Sequence, residues 1–80
     1  MFDAFDGGYD IIEDMPRLTV IGNQKVYVEN FISLLEYKRD NVKLKCKMCV
    51  IEIKGNGFII KTIRESCVEV HGTVENINFI

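Results

Sequence analysis

Four residues have the types and spacing from which a metal centre is built. Cys46-Lys47-Met48-Cys49 is a CxxC, and Cys67 and His71 follow at a C-x3-H spacing, so together they resemble a Cys3His zinc set. A zinc centre brings every donor to about 2.0–2.3 Å from one ion. Cys67 and His71 alternate with Val68 and Val70, which predicts an extended strand, and residues four apart on a strand lie roughly 13 Å apart. They could share an ion only across a helical turn or a sharp bulge. Cys46 and Cys49 could meet if Lys47-Met48 were a hairpin turn. A redox CxxC draws on a helix N-terminus or a nearby base to lower its thiol pKa, and no helical period is evident. The expectation is therefore that no metal or cofactor is held, that Cys46 is a core residue, and that Cys49, Cys67 and His71 are incidental.

Catalytic constellations are equally hard to assemble. His71 is the sole histidine and sits beside Gly72 at a strand end. Ser33 and Ser66 have no motif around them, so no nucleophile–base pair can be named. Neither Gly22 nor Gly55-Asn56-Gly57 makes a phosphate loop, because strands rather than helices follow them. The expectation is a protein that is not an enzyme.

Lys38, Arg39, Lys43, Lys45 and Lys47 are the densest basic stretch. Val42-Lys43-Leu44-Lys45-Cys46-Lys47 alternates strictly, which sets Val42, Leu44 and Cys46 on one face of a half-buried strand and three lysines on the other. Such a face could touch an anionic lipid surface. It could equally be a solvated face that discourages edge-to-edge aggregation, and that is the preferred reading. Tyr37 is the only aromatic residue close to the lysines, and no stacking motif is present, so no nucleic-acid partner is expected.

The elements that position these groups follow a period of two from Arg17 onward. Leu18 and Val20 alternate with Arg17 and Thr19, and Val26 and Val28 with Lys25, Tyr27 and Glu29. A three-residue loop, Gly22 to Gln24, pairs Val20 with Val26, Leu18 with Val28 and Arg17 with Glu29. A two-residue Gly22-Asn23 loop would instead place Leu18 and Val20 on the face of Lys25 and Tyr27, so the buried pattern favours the longer loop. Ile32 to Tyr37 is a further apolar stretch, ended by the polar turn Lys38-Arg39-Asp40-Asn41. Val50 to Lys54 and Phe58 to Ile63 read as a hairpin about an Asn56-Gly57 type I′ turn, with Ile53 and Ile60 paired inside and Glu52 and Lys61 outside. Cys67 to His71 and Val74 to Ile80 follow, with a turn or bulge at Gly72. The expected buried set is Leu18, Val20, Val26, Val28, Leu44, Ile51, Ile53, Phe58, Ile60, Val68 and Val70. The predicted fold class is all-β, a small antiparallel β-sandwich or roll of about seven short strands.

Composition bounds the rest. Eighty residues make one domain, and a chain of this size buries only about 60% of the surface its unfolded form exposes. Residues 1–14 carry five acids and no base, which leaves seven acids against ten bases in the remainder. They read as a flexible acidic arm, with Ile11 and Ile12 at the onset of packing, and residues 15–80 as the single β domain. The arm has Asp3 and Asp6 where an export signal carries bases, no apolar run approaches the ~20 residues of a membrane helix, and three cysteines suit a reducing compartment. These point to a cytoplasmic protein. Ile21, Ile77, Phe79 and Ile80 exceed what one small core can cover. An apolar edge near the C-terminus is therefore expected to pair with another copy or with a partner protein.

Met15-Pro16-Arg17-Leu18-Thr19-Val20-Ile21-Gly22-Asn23, followed by Tyr27-Val28-Glu29-Asn30, resembles the opening of the YqfC branch of the YabP/YqfC sporulation family. The likeness continues through Ile51-Glu52-Ile53-Lys54-Gly55 and ends with Val68-Glu69-Val70-His71-Gly72-Thr73-Val74-Glu75-Asn76-Ile77 and Phe79. It covers roughly residues 10 to 80. The resemblance implies a β-sandwich and a role in endospore morphogenesis in the mother cell, with a YqfD-like membrane protein as a neighbour. It carries over no catalytic residues. The chain departs from the pattern in its short acidic start and in Cys49, where relatives tend to have glycine. The expected function is a non-enzymatic interaction or assembly module, cytoplasmic or peripheral at the forespore membrane. Its candidate interaction residues are Ile77, Phe79 and Ile80. The alternative is a peripheral anionic-membrane binder acting through Lys43, Lys45 and Lys47, and a weaker one a metal or redox protein using Cys46 and Cys49.

Overall fold

The computed structural model describes residues 15–80, and the expectations for the arm lie outside the described residues. Six strands form one antiparallel sheet: β1 (Arg17–Ile21), β2 (Lys25–Glu29), β3 (Phe31–Tyr37), β4 (Asn41–Cys46), β5 (Val50–Ile63) and β6 (Cys67–Phe79), in the order β1-β2-β6-β5-β4-β3. The described residues contain no helix. The all-β expectation holds, with six strands because two pairs of predicted short strands are continuous.

The first hairpin has the three-residue loop. Val20 opposes Val26, Leu18 opposes Val28 and Arg17 opposes Glu29. Arg17 and Glu29 are close enough for an exposed ion pair, Nη1 to Oε1 at 3.8 Å. Burying Val26 and Val28 sets this register, since a slip of one residue would expose both.

The predicted Asn56-Gly57 hairpin does not form. β5 runs through both residues, and β6 runs antiparallel to it from Ile63↔Val68 to Ile51↔Phe79. Glu52 faces Lys43 on one side and Asn78 on the other instead of Lys61. In place of a reversal, both long strands bend together. The register shifts between Lys54 and Gly55 and again between Asn56 and Ile59, and Gly57 and Gly72 take φ of +66° and +146°, a region that side chains disfavour. Turn chemistry is thus used to fold a sheet, because a long partner strand competes successfully for the backbone hydrogen bonds a hairpin would have made.

The bend divides the sheet into two halves. One comprises β1, β2, Cys67–His71 and Ile59–Ile63, and the other Val50–Lys54, Val74–Phe79, β4 and β3. Their inner faces supply a single cluster: Val26, Val28, Val68 and Val70 from the first, and Phe31, Val42, Leu44, Cys46, Ile51 and Ile53 from the second, with Phe58 at the bend. The two halves belong to one continuous six-stranded sheet, an arrangement within the sandwich-or-roll expectation. Of the expected core, Leu18 and Ile60 are partly buried, while Val20 is 45% exposed. Val20 lies on edge strand β1, beyond the reach of the opposite half. Val42 and Cys46 are buried, as their shared strand face requires, and Phe31 joins them.

Two further devices close the roll. β2 passes into β3 through Asn30 alone, at φ +72°, a conformation asparagine tolerates. The Asn30 and Phe31 amides both donate to the Ser66 carbonyl, at 2.7 and 3.3 Å, which ties this corner to the β5–β6 turn. At the other end the Phe58 amide donates to the Arg39 carbonyl at 2.8 Å, and the Ile60 amide to the Tyr37 hydroxyl at 2.9 Å.

Candidate interaction surface

β4 presents Lys43 and Lys45 outward, as its alternation predicts, but Lys43 is not an open charge. Glu36 and Glu52 stand opposite it on β3 and β5, with their oxygens 3.9 and 3.7 Å from its Nζ. Lys38 reaches Glu36 at 3.5 Å and Lys54 reaches Glu52 at 4.0 Å. Bases and acids therefore alternate across three strands. The Glu36 carboxyl is held below the usual range, first by the hydrogen bond from the Asn41 amide and then by Lys38 and Lys43, against some burial that raises it. Lys45 is exposed on β4, and Lys47 is exposed in the turn that follows.

The four donor residues are not brought together. Among the described residues no group of three metal-ligating side chains converges. Cys67 opens β6 opposite Glu29. His71 lies four residues along the same strand with its Nε2 against the Glu69 carboxylate. Cys46 and Cys49 do meet across a turn at Lys47-Met48, where the Cys46 amide donates to the Cys49 carbonyl at 2.8 Å. Burial pushes the Cys46 thiol up to about 11, with the charge and hydrogen bond of Cys49 adding to it. Since the unfolded thiol ionises near 9.0, the unfolded chain loses its proton first as pH rises. Stability should be complete below pH 9 and fall between about 9 and 11. Thermal melts across that interval should show the fall, and a Cys46→Ala chain should show less of it.

The outer face of the first half carries a shallow depression of about 320 Å³, lined in part by Thr19, Tyr27, Glu29, Arg64, Cys67 and Glu69. Its mixed charge and lack of a convergent donor set give it no assignable chemistry.

Apolar exposure occurs at edge strand β1, where Val20 and Ile21 are about half exposed, and more strongly at two further edges. At the C-terminal edge Phe79 is 62% and Ile80 68% exposed, and Ile77 is half-buried against the core. β2 pairs with β6 only over Cys67–His71, and the loop before β2 extends this contact as far as Val74, whose amide donates to the Asn23 carbonyl at 2.7 Å. From Glu75 to Phe79, β6 has β5 as its sole neighbouring strand among the described residues. Its side chains there include one charge, Glu75, where natural edges are usually blunted by several.

The second edge is β3, whose sequence Phe31 to Tyr37 does not alternate with a strict period of two. Register shifts fall between Phe31 and Ser33 and between Leu34 and Glu36. Each leaves one extra residue, Ile32 or Leu35, unpaired with β4 and more than half exposed. Phe31, Leu34 and Tyr37 oppose the inward positions Cys46, Leu44 and Val42. Their spacing of three was the sequence signal of two bulges. Bulges bend a strand away from regular pairing, so β3 offers apolar contacts without a regular edge, whereas β6 offers both.

A sequence model of the YabP family matches residues 13–80. Over 71 residues the chain is 31% identical to "Uncharacterized protein YqfC" of Bacillus subtilis (strain 168), a stretch that spans 89% of this chain and 76% of that one.

Proposed function

The chain belongs to the YabP family, and from that premise we propose that it serves endospore morphogenesis as a non-enzymatic assembly module, docking a protein partner along the C-terminal edge of β6. The observation that carries the docking reading is the coincidence of Phe79 and Ile80, both largely exposed, with a strand stretch paired on one side only among the described residues. An added strand would take up the backbone groups while pockets received the alternate side chains. The occupant is a second copy of the chain or a membrane-anchored protein of the YqfD type, and the site of action is the mother-cell cytoplasm or its face of the forespore membrane.

Sedimentation over a wide concentration range tests the reading. The intact chain is expected to gain mass with concentration or to bind the membrane-anchored neighbour. Phe79→Asp should lose that association at least about tenfold while changing stability by no more than about 0.5 kcal/mol, as for a surface substitution. An intact chain that stays monomeric and ignores the neighbour overturns the docking edge. Deleting the gene and scoring spore formation addresses the cellular role separately. The ladder around Lys43 counts against docking on an anionic membrane through Lys43, Lys45 and Lys47, so flotation with anionic vesicles is expected to leave the protein behind.

A further inference from the structure

We propose that Cys46 and Cys49 form a reversible intrachain disulfide across the β4–β5 turn, with Cys49 the sulfur that meets the oxidant and Cys46 the sulfur that closes the ring. The geometry is that of two residues flanking a two-residue turn. Lys45 opposes Val50 in the last ladder pair, and the Cys46 amide donates to the Cys49 carbonyl at 2.8 Å. A chain that reverses over four residues brings the first and last Cα atoms within about 7 Å, and disulfides span roughly 4.4–6.8 Å. Cys46 belongs to the core cluster and Cys49 packs against it, and the Cys49 thiol is near enough to help raise the ionisation of Cys46.

Burial assigns the order of events. Cys46 is 2% exposed beneath the turn and packs in the core, whereas Cys49 is half-buried at its rim. A small-molecule disulfide can reach Cys49 but not Cys46. The Cys49 thiolate attacks one sulfur of that disulfide and expels the other as a thiolate, which leaves a mixed disulfide on Cys49. Cys46 then gives its proton to solvent and attacks the Cys49 sulfur, expelling the second thiolate. Two protein thiols are oxidised to one disulfide, and one small disulfide is reduced to two thiols. The raised ionisation of Cys46 makes the closing step faster at higher pH. Cys67, at the start of β6 against Glu29, takes no part.

The position gives the bond a local consequence. Val50 follows Cys49 directly and exchanges both backbone hydrogen bonds with Ile80, at 3.0 and 2.8 Å. Closing the ring straps the turn to which the last residue of the chain is fastened.

The test uses the full chain carrying Cys67→Ser, incubated folded with oxidised glutathione, quenched with acid and measured by mass after alkylation. The expected product has lost two hydrogens and takes up no alkylating agent. From the mixed disulfide, it should form at least about tenfold faster in the folded chain than in urea, because the fold holds the second sulfur in place. Under the same conditions Cys49→Ser with Cys67→Ser should stay unmodified until unfolded. Stable glutathione adducts on Cys49 with Cys46 still free after unfolding overturn the proposal. Ring closure no faster folded than unfolded, or ready modification of Cys46 in the Cys49→Ser chain, does so as well. None of these readouts depends on the C-terminal edge having a partner.

Discussion

Gly55→Ala is expected to leave the domain unfolded at room temperature. A methyl group on Gly55 would overlap the Thr73 carbonyl oxygen and stand 2.8 Å from Cζ of Phe58. The first contact is with backbone and cannot be relieved by a rotamer change. Relief requires β5 and β6 to separate at the bend, where both halves of the sheet meet. The cost should be at least about 4 kcal/mol, the exceptional end for one substitution. A domain of this size has about 4–12 kcal/mol in total. Gly22→Ala is the control. Its methyl group would meet nothing within 4 Å, and only the φ of +58° is unfavourable, so it should cost about 1–2 kcal/mol. Far-UV circular dichroism and urea titration of both chains decide the matter. A Gly55→Ala chain as stable as Gly22→Ala would show that the two long strands do not approach as described.

Phe58→Ala should be the most damaging truncation of a side chain, at about 3–5 kcal/mol. Phe58 is 2% exposed and is the largest of the fully buried side chains. Its ring fills the space left by two glycines: a methyl group on Gly72 would lie 2.7 Å from Cδ1, and one on Gly55 2.8 Å from Cζ. Removing the ring empties the inside of the bend, and the strands cannot collapse into the void without losing their pairing. The double variant Phe58→Ala with Gly55→Ala should be no more stable than Gly55→Ala, since the contact with the Thr73 carbonyl remains. Ile32→Ser, on an exposed bulge, should change stability by no more than about 0.5 kcal/mol. Far-UV circular dichroism should find both Gly55→Ala chains unfolded, chemical unfolding compares Phe58→Ala with Ile32→Ser, and a Phe58→Ala cost near that of Ile32→Ser would mean the ring does not hold the bend.

Local alternation was legible wherever one face of a strand is buried. It placed the first hairpin in register from Leu18, Val20, Val26 and Val28, put Val42, Leu44 and Cys46 inward, and found the exposed C-terminal apolar residues by counting more aliphatics than a small core can cover. It also identified Lys43 and Lys45 as sharing an outer face. What it could not supply was the neighbour across the sheet. Glu36 lies seven residues before Lys43 and Glu52 nine after it, and strand pairing makes them one charge ladder. The lysine face of β4 is therefore a mixed-charge face once its neighbouring strands are in place.

Residue types and period by themselves therefore determined the all-β class, the short-range hairpin, most of the core and the family resemblance, because each depends on contacts within a few residues or on one buried face. The tertiary structure decided the rest. Asn56-Gly57 carries the chemistry of a hairpin turn, yet β6 offers β5 a continuous partner along both halves, and the glycines serve a shared bend around Phe58 instead. Val20 has the pattern of a core residue, but its strand is an edge that the opposite half does not cover. Cys46 and Cys49 face each other because Lys47-Met48 reverses the chain between two strands already paired, while Cys67 and His71 remain apart because β6 stays extended between them. In each case the outcome depends on which strand lies alongside, and that is set by long-range pairing that neighbouring residues in sequence do not specify.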